Sequence, residues 1–178
     1  MYAKLQAIAE KFISKKNIYK YGFNYSPMYR RSTGRVIFVS ENLHKVIVRI
    51  KLSYKNSNYV GSIFGGSLLS ASDPIFMIQL LNILGNSYVV WDKATTIRFK
   101  KPAKQHCFID FIFTCEEIED IKKQVKEDNK IDIVKKIQIT NKDKSVVFAE
   151  IDKTIYIADK EYYKLKRKNK SSTLISSF

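Results

Sequence analysis

The chain has 178 residues, 45% of them hydrophobic and 13% aromatic, and a formal net charge of +15. That length suits one domain with a core of its own, and the composition argues against a disordered chain. The excess charge sits at the ends: residues 1–35 carry eight basic side chains against one acidic, residues 160–178 six against one, and the stretch between only 18 against 15.

In chain order, Leu5, Ile8, Ala9, Phe12 and Ile13 fall at helical spacing. They predict an amphipathic helix in an N-terminal extension, residues 1–30, packed on the domain, with attachment to a membrane surface as the alternative. The segment lacks the apolar run and cleavage site of a secretory signal, so a cytoplasmic protein is expected. Strands follow at 34–41 and 45–52, the second alternating Val46, Val48, Ile50 and Leu52 with Lys45, Arg49 and Lys51. Asn42-Leu43-His44 forms a hairpin connection, and 54–58 a loop.

Residues 59–85, YVGSIFGGSLLSASDPIFMIQLLNILG, are the most apolar stretch and hold a single charged side chain, Asp73. A central Asp costs about 2.5–3.5 kcal/mol on insertion into a bilayer, so a buried helix is expected rather than a transmembrane one. Two readings of the acid stay open. Ser-Asp-Pro makes a good helix start, with Asp73 the N-cap and Pro74 the first helical residue. Alternatively the helix begins at Gly65–Ser67, and Pro74 kinks its interior. Gly65 and Gly66 then offer backbone N–H groups at a helix N-terminus, suited to an anion or a developing oxyanion. Asp73 lies seven residues beyond Gly66, on the same face and about 10 Å along the axis. One helix cannot bring both to one carbonyl, but two helices related by a two-fold axis can. An obligate homodimer with shared sites is therefore expected, and dimer and dimer of dimers both stay open.

Strands at 88–101 and 106–115 follow, then a charged, helix-prone stretch at 116–130 that suits a short excursion or an exposed strand extension. Strands at 131–140 and 145–158 flank the turn Asn-Lys-Asp-Lys, and residues 159–178 form a basic, frayed tail. Cys107 and Cys115, in one apparent strand and about 26 Å apart when extended, predict reduced, buried thiols. His44 and His106 have no metal-ligand or triad spacing and predict structural or surface roles, and Asp92-Lys93 predicts an ion pair or a dimer contact. Strands in succession around one apolar helix predict an α+β fold, an antiparallel sheet packed on that helix.

The blocks VGSIFGGSLLSASDPIFM and YVVWDKATTIRFKKPA resemble the hotdog-fold acyl-CoA thioesterase superfamily, in particular the phenylacetyl-CoA (PaaI-like) thioesterases and an uncharacterised branch beside them. The resemblance covers roughly residues 30–158, and the hotdog domain is placed at 31–158. It implies a five- or six-stranded antiparallel sheet wrapped around a long central helix, with dimers pairing sheets edge to edge. PaaI-like members carry His-Gly-Gly at the helix start and an acid nine residues after the His. This chain has Phe64 at the His position, followed by Gly65, Gly66 and Asp73.

By that resemblance, Gly66 and Gly65 hold the thioester oxygen while Asp73 of the other subunit activates water or attacks directly. Asn58 orients water or substrate. Phe64 contacts substrate, and Arg98, Lys100, Lys101 and Lys104 meet the phosphates of coenzyme A. The implied substrate is an acyl-CoA or acyl-carrier-protein thioester, with no separate cofactor and no metal. The alternatives are a non-catalytic acyl-CoA or lipid binder on the same scaffold and a nucleic-acid-binding module using the basic ends. The distribution of charge and the absence of an aromatic-basic motif weigh against the last.

Overall fold

A computed structural model describes residues 14–175, with side chains as far as Asn169. The elements are α1 (Lys15–Tyr25), α2 (Pro27–Arg31), β1 (Gly34–Val39), β2 (Lys45–Ile50), α3 (Gly65–Ser72), α4 (Ile75–Leu84), β3 (Tyr88–Phe99), β4 (Cys107–Ile112), α5 (Cys115–Asp128), β5 (Lys130–Thr140), β6 (Val147–Asp159) and α6 (Lys160–Ile175). The strands make one antiparallel sheet in the order β1-β2-β4-β5-β6-β3. It wraps around α3 and α4, the arrangement of a hotdog fold. Alternate side chains of the sheet, among them Val48, Ile109, Phe111, Ile151 and Ile155, meet Leu68, Ala71, Ile75, Phe76 and Leu80 of the helix in a single buried cluster. Gly65–Leu84 is long and apolar enough to cross a membrane, by length and composition, with a mean hydropathy of 1.4. Here it is the core helix.

Pro74 settles where that helix begins. It starts at Gly65, and Asp73 and Pro74 break it into α3 and α4, with no side-chain cap at the second start. Proline has no N–H for the carbonyl four residues back, so acceptors around the break need other donors. They come from outside the helix. The Tyr29 hydroxyl donates to the Ala71 carbonyl at 2.8 Å, Tyr19 to Ile75 at 3.0 Å and the Lys153 ammonium to Asp73 at 2.7 Å. Tyr19 and Tyr29 belong to α1 and α2, so these helices act as a clamp on the kink. The part of the predicted N-terminal helix carried by Leu5 to Ile13 lies outside the described residues.

The two middle strands part company early. β4 and β5 pair only at Phe108–Thr140 and Ile109–Ile139, and α5 is the connection between them. The expected excursion at 116–130 is thus a 14-residue helix. Thr114 and Glu117 form a capping box at its start, and Ile118, Ile121 and Val125 recur at helical spacing on its buried face. That start also shortens the expected 106–115 strand and corrects the reading of its cysteines. Cys107 is buried, and burial pushes its thiol up to about 12. Cys115 is exposed at the first turn of α5. A chromogenic disulfide reagent therefore titrates one thiol in the folded protein and the second only after denaturation. The residues following β6 continue as α6, in which the Lys160 amide donates to the Ser87 carbonyl and the Glu161 and Tyr162 amides donate to Asp159 Oδ1.

Candidate active site

The N-terminus of α3 is held by the loop before it. The buried Asn56 accepts the Ser53 amide, donates to Thr33 Oγ1 and the Lys51 carbonyl, and offers its own carbonyl to the Phe64 amide. Ile63 donates to Ala103, so the turn after β3 lies alongside. The Ser67 and Leu68 amides bond to the Phe64 carbonyl. The Gly65 and Gly66 amides precede that ladder and are the orphan donors that every helix start leaves. Each glycine also lies under an aromatic ring. A Cβ on Gly65 would meet the Phe99 ring at 2.7 Å, and one on Gly66 would meet the Phe64 ring. Both phenylalanines are more than half exposed. The helix start is thus two backbone donors between two apolar faces.

The acid lies at the other end of α3. Its carboxylate is not buried and unpaired: the side chain is 58% exposed, and its Oδ1 accepts from Lys153 Nζ at 2.7 Å. Lys153 comes from the inward face of β6, is only 2% exposed, and also pairs with Asp92 Oδ2 at 2.9 Å. One buried ammonium thus bridges two carboxylates and the kinked helix backbone. Asp92 is the more buried acid. Desolvation raises its pKa against the opposing hydrogen bond and charge of Lys153, and its Oδ1 is buried without a hydrogen-bond partner. Asp92 therefore pairs with Lys153 rather than with its neighbour Lys93, which bridges to Asp132 at 2.5 Å.

The remaining predicted residues divide. Asn58 Oδ1 accepts from the Val60 and Ser62 amides and from the Ser62 hydroxyl, so it is committed to shaping its loop. Arg98 projects from the outer face of β3 and bonds to Asp152 at 2.6 Å, while Lys100 meets Glu150 at 3.0 Å. These two cations already have partners on β6. Lys101 and Lys104 lie in the turn that pairs with Ile63, close to the helix start, and form no ion pair with a described residue. Lys153 and Phe99 belong to the candidate site and were not singled out from sequence, while Asp92 was read with Lys93 as an ion pair or dimer contact. The signal for Lys153 and Asp92 was register: Ile151-Lys153-Ile155 and Val90-Asp92 put a charge in the inward, apolar phase of a strand.

A family model described as a domain of unknown function (DUF4442) matches residues 17–157. Several solved structures share the fold. A Pseudomonas aeruginosa protein of unknown function, described as a probable thioesterase, is 20% identical with a TM-score of 0.67, over 81% of this chain and 93% of its own. A Chlorobaculum tepidum protein of unknown function gives 14% and 0.64, over 79% and 91%. Thioesterase superfamily member 2 of Mus musculus gives 15% and 0.58, over 82% and 98%. No curated protein matches the sequence.

Proposed function

Because the chain belongs to the DUF4442 family and has the hotdog fold, we propose that it hydrolyses acyl thioesters of coenzyme A or an acyl carrier protein at a site shared by two subunits. The observation that carries this reading is the pairing of free glycine amides at the start of the central helix with an oriented, half-exposed carboxylate at its kink. The carbonyl oxygen of the thioester accepts from Gly66 N–H, with Gly65 beside it. Water attacks the carbonyl carbon as Asp73 of the other subunit removes its proton. The tetrahedral oxyanion gathers charge against the glycine amides. Its collapse breaks the C–S bond, and the sulfur leaves with the proton held by Asp73, giving a carboxylic acid and a free thiol.

Lys153 is a positioning residue in this scheme. It holds one carboxylate oxygen while the exposed side of Asp73 meets water. Phe64 and Phe99 line the acyl entry as apolar walls. Lys101 and Lys104 are the cations left for the carrier's phosphates. β3 is a sheet edge of 12 residues, and an unpaired edge of that length is a template for a second copy. Pairing there gives the homodimer. The same reading expects a small-molecule partner, no metal, and a cytoplasmic protein.

The experiment is release of free thiol from a panel of acyl-CoAs differing in chain length. Turnover is expected with at least one, and Asp73→Asn lowers it by about 10²–10⁴-fold without lowering the melting temperature by more than a few degrees. Saturable binding with the same residual turnover in both proteins makes the chain a binder instead.

A further inference from the structure

A cluster of six basic side chains lies away from Asp73. α2, the outer sides of β1 and β2, and the loop after β2 border an open cleft of about 560 Å³ lined by Arg30, Arg31, Arg35, Arg49, Lys51 and Lys55, and no acidic residue lines it. None of the six forms an ion pair with a described residue. Several cations on and beside the other strands are paired: Lys93 has Asp132, Arg98 has Asp152, Lys100 has Glu150 and Lys144 has Asp110. Here Arg35 and Arg49 instead face one another across β1 and β2, directly opposite in register. Like charges so placed repel, and an anion would relieve them.

The floor is built rather than incidental. Thr33 and Ser53 line the cleft, and the 4%-exposed Asn56 fixes both, donating to Thr33 Oγ1 at 2.8 Å and accepting from the Ser53 amide and hydroxyl at 2.9 and 3.2 Å. We infer that this cleft is a binding site for a nucleotide-sized anion carrying two or more phosphates. The arginine forks match phosphate oxygens two at a time. The volume lies within the range of small-molecule sites and would be left mostly empty by one phosphate. A concave site with no aromatic side chain among its lining residues favours a small molecule over single-stranded nucleic acid, which binds by stacking on aromatic platforms. The assignment is independent of thioester hydrolysis and survives a chain that turns over nothing.

Equilibrium dialysis of the full chain tests it, with guanosine 5′-triphosphate and inorganic triphosphate as probes, neither of them a fragment of coenzyme A, at an ionic strength of about 0.15 M. Saturable binding at one site per chain is expected. Arg35→Gln/Arg49→Gln weakens it about tenfold or more, while Lys101→Gln/Lys104→Gln leaves it within about twofold. Removing the facing charges does not lower the melting temperature, and Lys51→Gln/Lys55→Gln, on exposed positions, repeats the test on a second pair. Absence of saturable binding, or equal loss in the Lys101/Lys104 variant, overturns the site. So does retention of a 20-nucleotide single-stranded RNA or of anionic vesicles through Arg35 and Arg49 by a chain that does not hold the nucleotide.

Discussion

Lys153→Met lowers the unfolding free energy by about 3 kcal/mol at neutral pH and removes most thioester turnover. Methionine keeps the length and apolar stem of the side chain, so little packing is lost. What is lost is the ammonium that joins Asp73 to Asp92 and donates to the Asp73 carbonyl. Removing one partner from a buried pair typically costs about 3–5 kcal/mol, and the lower figure applies because the Asp73 side chain remains 58% exposed. The pH dependence identifies the cause. Asp92 already has a folded pKa above its ordinary 3.8, chiefly from desolvation. A carboxyl raised in this way stabilises the fold most below its unfolded pKa and loses that contribution as pH rises through the folded value. Without Lys153 the folded value rises further. The deficit of the variant therefore shrinks as pH falls toward 3.8 and is fully developed at neutral pH. Chemical denaturation of both proteins across that range measures it. A deficit equal at every pH would assign the loss to packing instead.

The same ammonium shows what sequence rules can reach. Period-two alternation placed β2 and its inward residues, and the apolar run placed the central helix, because each rests on local spacing alone. The same spacing would have marked Lys153, since a lysine between Ile151 and Ile155 on the inward face must find a counter-charge. Nothing local names that counter-charge, since Asp73 lies 80 residues away and meets Lys153 only when the helix crosses the sheet. The helix start was ambiguous for a related reason. Ser-Asp-Pro satisfies the rules for an N-cap, and what overrides them is tertiary: Tyr19, Tyr29 and Lys153 supply donors to the carbonyls around the break. The paired state of Arg98 and Lys100 was hidden likewise, because Asp152 and Glu150 become neighbours only through the β3–β6 register. α5 was obscured by its charge, although Thr114-Cys-Glu-Glu117 carries the spacing of a capping box.

Mixing two inactive variants restores activity if the site is built from two chains. Asp73→Asn removes the base, and Gly66→Val places a branched side chain where the Phe64 ring now lies and blocks approach to the helix amide. Each homodimer falls by about 100-fold or more. In a mixed dimer, Gly66 of the Asp73→Asn chain faces Asp73 of the Gly66→Val chain, so one site is intact and the other carries both defects. Random association of equal amounts makes half the dimers mixed, and turnover recovers to about a quarter of wild type. Were both groups to act within one chain, every site would carry a defect and mixing would restore nothing. The axial rise from Gly66 to Asp73, about 10 Å, favours the first outcome, because a base and an oxyanion donor must both lie about 3 Å from the atoms they serve. Refolding the two chains together from denaturant, with thiol release as the readout, separates the cases. The β3 edge provides a control. A proline at Thr95, in the middle of that strand, blocks pairing wherever the amide serves a partner chain, and it should abolish both the dimer and the recovered turnover.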